Sequence, residues 1–174
     1  QAKHLKDLGC EQYKMLYSYI EELQPCDVSN REGHAAKVYF NALFGLSFSR
    51  NKQCFSNSAL DYGYAIILSA FNRAVVANGY NTQMGLYHRN EFNPFNFSCD
   101  LMEPFRVLVD RVVFSMAGET LDVDSKRLLQ NILNIKVSIV GKEYSVSDAI
   151  NIYCKSVFNA LCTGDLSQIS FYEL

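Results

Sequence analysis

No proline interrupts the stretch between Asn57 and Asn78, and its apolar residues keep to one stripe: Leu60, Tyr64, Ile67, Leu68, Phe71, Val75 and Val76. Recurrence at three and four residues is the period of an α-helix with one face turned to a core. At 1.5 Å per residue such a helix is about 33 Å long, roughly the width of a small domain. A rod of that length must be covered by other elements over most of its length. Gly79 supplies a stop. Gly63 and the alanines around it leave room for a second helix to approach closely.

The flanking sequence reads the same way. Residues 5–23 carry Leu8, Tyr13, Leu16, Tyr17 and Ile20 at helical spacing, divided near Gly9 and ended by Pro25. Ser29-Asn30-Arg31-Glu32 fits the S-x-x-E capping box and predicts a helix through Ala35, Val38, Tyr39, Ala42 and Leu43 to Gly45. Residues 46–55 read as a loop, and residues 80–95 as a turn-rich segment containing Asn90, Asn93 and Pro94. A second long helix is predicted over 97–116, kinked or restarted at Pro104. Another follows Asp124 through Leu128, Leu129 and Leu133. Ile135, Val137 and Ile139 then alternate with polar residues before Gly141-Lys142, the pattern of a small β-hairpin over 135–144. Ser145 to Asp148 caps a last helix that runs to about Cys162 and stops at Gly164. The expected fold class is mainly α: one helical domain over residues 1–174 with one small hairpin.

Composition narrows the function classes. The 174 residues suit a single domain. No apolar run approaches the roughly 20 residues of a membrane span, so no membrane partner is expected. The first residues are polar and lack the apolar core of a signal peptide. The chain starts at Gln1 without an initiator Met and reads as part of a longer protein. The six cysteines form no C-x-x-C pair and read as mostly buried, reduced thiols of a cytoplasmic protein. A net charge of −2 argues mildly against nucleic acid, yet its distribution is uneven. Between Ser29 and Met116 there are eight Lys or Arg and six Asp or Glu, whereas the rest of the chain has eight against twelve.

The residues able to do chemistry are few. His88 lies in an irregular polar segment between two long helices, where functional residues often sit. Asp100 and Glu103, three apart, fall on one helical face. Both also suit a helix start, where the dipole favours negative charge. Glu32 occupies the position a capping box gives to Glu, so on spacing alone it is a cap. Two carboxylates and an imidazole would suit a hard divalent ion, Mn²⁺ more than Mg²⁺. Spacing does not bring the three segments together.

Three longer runs do connect them: Asn30 to Phe40 (NREGHAAKVYF); Ala59 to Ala65 (ALDYGYA) with Arg73 to Ala77 (RAVVA); and Gly85 to Asn90 (GLYHRN) continuing through Phe92-Asn93-Pro94-Phe95-Asn96 to Asp100-Leu101-Met102-Glu103-Pro104-Phe105-Arg106. In order and separation they resemble the catalytic domain of the spacer-acquisition integrase of type II CRISPR systems. The resemblance implies a metal-dependent DNA integrase or endonuclease acting in antiviral defence, with Glu32, His88 and Glu103 as catalytic metal ligands and Asp100 in support. It implies Mn²⁺ or Mg²⁺ as cofactor. Arg106 falls where the family places a basic residue near the phosphate, and Arg31 and Arg73 join it as candidate DNA contacts. Tyr62 would orient substrate, although a core-packed tyrosine is at least as good a reading. His34 is taken as structural. The family's N-terminal β-rich domain lies outside these residues. The implied partners are DNA, a second copy of the full-length protein and a small ferredoxin-like adaptation protein. The competing expectation is a non-catalytic DNA-binding or assembly module whose acids only cap helices.

Overall fold

The structure, a computed structural model, describes residues 1–173. Eight α-helices and one hairpin follow in chain order: α1 (Ala2–Asp7), α2 (Tyr13–Glu21), α3 (Arg31–Phe44), α4 (Phe55–Ala77), α5 (Asn96–Met102), α6 (Arg106–Ser115), α7 (Val123–Gln130), β1 (Lys136–Ile139), β2 (Lys142–Ser145) and α8 (Val146–Thr163). The chain is mainly α, as its periodicity predicts. Helix α4 is the axle: α5, α6, α7 and α8 all pack against it. Leu60, Ile67 and Phe71 of its stripe are fully buried, and Val76, included in the predicted stripe, is exposed. Each large apolar side chain withdrawn from water in this way contributes about 1.5–3 kcal/mol.

Close approach is built into α4 at Gly63. A Cβ there would collide with Val109 Cγ1 of α6 and meet Leu129 Cδ2 of α7 at 3.3 Å. The small residue therefore sets how near α6 comes, and α6 carries half of the site described below. The predicted break at Pro104 is present. Helix α5 ends at Met102, a 3₁₀ turn spans Glu103–Phe105, and α6 restarts at Arg106. Proline has no N–H to continue the α ladder and its ring crowds the preceding turn, so the α-helix gives way to a 3₁₀ turn at Glu103, while the backbone from Asp100 to Glu103 stays right-handed helical.

Other expectations are corrected. No capping box forms at the start of α3. The Asp27 carboxylate accepts the Arg31 N–H at 2.7 Å and the Glu32 N–H at 2.9 Å, and Asn30 takes a left-handed conformation. The hydroxyl oxygen of Ser29 is buried without a partner. In the hairpin the turn is Val140-Gly141, both at positive φ (54° and 70°), as a two-residue type I′ turn requires. A β-branched residue pays strain there. The register pairs Lys136 with Ser145 and Ile139 with Lys142. Of the six cysteines, all unpaired, only Cys154 is buried, while Cys26, Cys54 and Cys162 are exposed. No helix is long and apolar enough to cross a membrane.

The last described residues return to the site. Ser138 and Glu173 exchange backbone hydrogen bonds, and the Tyr172 hydroxyl donates to the Pro104 carbonyl at 2.8 Å. The ring of Tyr172 packs on Phe105 at 4.5 Å between centroids. This clamps the turn that follows Glu103 from behind.

Candidate functional site

Glu32 projects from the first turn of α3. Because Asp27 caps that turn, the Glu32 carboxylate is not committed to capping, and the residue is exposed. The explanation that made Glu32 purely structural thus belongs to a different side chain.

His88 is held by a tight loop. Asp100, almost buried, accepts the backbone N–H groups of Leu86, Tyr87 and His88 and lies 2.6 Å from His88 Nδ1. Burial alone would raise the carboxyl; the bonds from His88, Tyr87 and Leu86 outweigh it and hold Asp100 below the ordinary value. An ionised carboxylate only accepts. Nδ1 must therefore carry the proton, and in the neutral ring Nε2 presents its lone pair outward. This is the arrangement that orients a metal-binding histidine. Gly85 makes it possible, since a Cβ at that position would strike the His88 carbonyl oxygen and stand 2.8 Å from Asp100 Oδ2. The carbonyl is backbone, and Asp100 Oδ2 is held by the Leu86 and Tyr87 N–H groups, so neither yields easily. Gly85→Ala is accordingly expected to loosen the 86–88 loop and to cost at least tenfold in any activity that uses His88, with amide exchange at 86–88 accelerated as the measurement that locates the effect.

Glu103 opens the turn before α6, and Arg106 Nη1 donates to its Oε1 at 2.9 Å. The Arg106 guanidinium lies over the Tyr64 ring, 4.3 Å from its centroid. Tyr64 in turn donates its hydroxyl to Asp110, which also accepts Tyr39 at 3.0 Å, and Tyr39 is bonded to His4 at 2.8 Å. Tyr64 and Asp110 were legible only as core stripe and helix residue. Burial raises the Asp110 carboxyl to about 6, against the pull of the two tyrosines and Arg106. An acid whose folded pKa exceeds its unfolded one binds more protons when folded, so its contribution is fully present near pH 4 and is lost as pH rises through about 6. Stability should therefore fall as pH rises from about 4 to above 6, as the buried Asp110 carboxyl is forced to ionise. Asp110→Asn should flatten that part of the profile in urea unfolding.

The structure brings these pieces together in pairs. Glu32 and Glu103, from segments far apart in sequence, line one cavity of about 330 Å³ with Tyr64, Arg106 and Asp110. Glu32 also borders a neighbouring cavity with Tyr87, the residue before His88. Among the described residues no three of His, Cys, Asp or Glu are gathered closely enough to hold a metal ion. The donor types nevertheless suit a divalent cation: two carboxylates that reach a common space, and an imidazole already oriented through its Nδ1. Arg31 is engaged elsewhere, paired with Glu22 at 2.7 Å and lying over Tyr19. Tyr62 accepts a hydrogen bond from Gln130 at 2.9 Å and does not line the cavity. Arg73 is exposed on α4, nine residues beyond Tyr64. Nine steps of 100° place it on the opposite side of the helix, about 13 Å further along.

Comparison with known proteins decides the family. Residues 11–125 match the profile of the family described as CRISPR associated protein Cas1, and this span contains α3, the whole of α4, the His88 loop and the Glu103 turn. The chain belongs to the Cas1 family. Among Cas1 relatives, the CRISPR-associated endonuclease Cas1 of Neisseria meningitidis serogroup C (strain 8013) is 33% identical over 166 residues, which covers 92% of this chain and 55% of that protein. An endonuclease Cas1 of Francisella tularensis subsp. novicida (strain U112) is 32% identical over 82% of this chain and 50% of its own length. The chain thus spans about half the length of these Cas1 proteins. The Cas1 fold also matches a casposase bound to integration product, with a TM-score of 0.73 at 21% identity over 94% of this chain and 59% of that one. A Cas6-RT-Cas1–Cas2 complex gives 0.70 at 20% identity over 96% of this chain and 22% of that one.

Proposed function

We propose that this chain is the catalytic part of a divalent-metal-dependent DNA integrase and endonuclease of CRISPR spacer acquisition, with Glu32, His88 and Glu103 as the metal ligands. The observation that carries the reading is the shared cavity of Glu32 and Glu103, which two unrelated caps would have no reason to line. The oriented His88 supports it, as do Cas1 relatives described as endonucleases and a structural neighbour bound to integration product.

Mn²⁺ or Mg²⁺ in this place would polarise a phosphoryl oxygen and stabilise the charge that develops on the attacking and leaving oxygens. The reaction is a transesterification. The 3′-oxygen of an incoming DNA end bonds to phosphorus at the leader–repeat junction, the bond from phosphorus to the leader's 3′-oxygen breaks, and that oxygen takes up a proton. One phosphodiester replaces another, so no co-reactant is needed. The chain's own residues position and neutralise. Asp100 keeps the His88 Nε2 turned outward. Tyr64 and Asp110 hold Arg106 at the cavity wall, where it exchanges Glu103 for a substrate phosphate. Arg31 and Arg73 remain candidates only for DNA lying beyond the cavity. In keeping with the family resemblance, and with a structural neighbour that is a Cas6-RT-Cas1–Cas2 complex, the full-length protein would work as a homodimer together with a small ferredoxin-like partner.

The test is strand transfer by the full chain on DNA with free 3′-hydroxyl ends, with Mn²⁺, Mg²⁺ or chelator. A covalently joined product that requires the metal is expected. Equal joining in chelator would overturn the metal assignment, and DNA binding with no joining under any metal would favour the non-catalytic assembly module.

A further inference from the structure

A second cavity, of about 420 Å³, adjoins the Glu32–Glu103 cavity and shares Ala36, Phe40 and Arg106 with it. Its wall carries Lys37, Arg50 and Arg106 and no carboxylate, with Phe40 and Phe48 as apolar surface. The Glu32–Glu103 cavity has two glutamates and Asp110 on its wall, so charge changes sign from one to the next. Arg50 is not a loose surface cation. Its Nη1 donates to Asn57 Oδ1 at 2.6 Å and its Nη2 to Asp61. The guanidinium also lies over the rings of Phe40 and Tyr64, at 5.9 and 5.6 Å. Asn57 is only 4% exposed, and its amide bonds the carbonyls of Ser49 and Lys52 at 2.8 and 2.7 Å. One buried side chain therefore shapes the 49–52 loop and fixes the arginine it presents.

We propose that this second cavity is a nucleotide subsite for the DNA strand flanking the reacting phosphate: Lys37, Arg50 and Arg106 bind the neighbouring phosphate, and Phe40 and Phe48 receive its sugar or base. The proposal deepens the catalytic reading and rests on it for the placement of the reacting phosphate. A phosphate there meets three cations from three elements, and Arg106 spans both cavities. Asp61 offsets part of the Arg50 charge but lies outside the cavity wall, while Arg50 itself lines it. Phe40 is buried against Tyr39, Phe44 and Phe48, and the part-exposed Phe48 offers the accessible aromatic surface; such a surface accepts any base, so the subsite holds backbone without reading sequence.

The experiment is the salt dependence of binding to a short DNA duplex with a 3′ overhang, measured on the full chain by fluorescence anisotropy, alongside strand transfer. Removing one phosphate contact lowers the slope of log K against log salt by about 0.7–0.9. Arg50→Ala and Lys37→Ala are each expected to show that drop and about tenfold weaker binding to every sequence tried. Arg50→Lys should keep the slope, since it keeps the charge. Lys142→Ala, on the hairpin, is the control and should change neither. An unchanged slope in Arg50→Ala, or an equal drop in Lys142→Ala, overturns the subsite. If the slope drops in Arg50→Ala while the wild-type chain joins no DNA, the subsite stands and the catalytic reading fails; if the wild type joins DNA and the slope is unmoved, only the subsite falls.

Discussion

Glu103→Ala is expected to reduce metal-dependent strand transfer by about a thousandfold, or ~4 kcal/mol of transition-state stabilisation. Three features put the largest effect here. Glu103 sits at the break imposed by Pro104, so its carboxylate is delivered to the cavity by a turn that cannot be remodelled cheaply. Its neighbour across the cavity is Glu32, and one carboxylate alone binds a divalent ion weakly. Its loss also frees Arg106, which is then available to pair with Glu32 and withdraw a second ligand. Folding should hardly change, because the Glu103–Arg106 pair is more than a third exposed on both sides and such pairs contribute about 0–1 kcal/mol. Strand transfer assayed with thermal unfolding separates the two. Activity within tenfold of wild type would remove Glu103 from the chemistry.

Asp100→Asn should produce the second largest effect. The carboxylate accepts four donors, the N–H groups of Leu86, Tyr87 and His88 and the His88 ring. An amide keeps one accepting oxygen and turns an NH₂ toward the remaining donors. The loop then loses its anchor and the imidazole its fixed tautomer. Partners that orient a metal-binding histidine typically contribute 10–100-fold to metal affinity or activity, and a loss in that range is expected here. Faster amide exchange at 86–88 should accompany it. Slowed chemistry with unchanged exchange would mean that Asp100 acts directly on the substrate or metal. No change in either would mean that the loop holds itself.

Much of this was legible in the residues. The α4 stripe, the Gly63 contact, the break at Pro104 and the Ser145 cap are all local, decided by period, size or a missing N–H, so a single sequence displays them. Glu32 was misread by the same local logic. Ser29 and Glu32 have the spacing of a capping box, but Asp27 is longer-ranged competition that spacing does not reveal, and it takes the two N–H groups instead. Asp100 and Glu103 keep the three-residue interval on right-handed helical backbone, but what each carboxylate binds was not legible: Asp100 turns to the 86–88 loop and Glu103 to Arg106. Tyr64 and Asp110 were hidden for a different reason. A tyrosine in an apolar stripe and an aspartate amid valines carry no mark of each other, and their hydrogen bond joins positions 46 residues apart. Tyr62 was the more visible tyrosine, but Gln130 holds it. The remaining link, Glu32 to His88 and Glu103, was supplied by family resemblance, and the cavity gives it a physical form for the two carboxylates.

Glu32, His88 and Glu103 are proposed to serve a single ion. Mn²⁺ titration of the full chain followed by electron paramagnetic resonance tests it without any need for DNA or turnover. One tightly bound Mn²⁺ per chain is predicted, weakened at least tenfold by Glu32→Ala, His88→Ala and Glu103→Ala separately. Binding left intact by any one of the three would contradict the shared site.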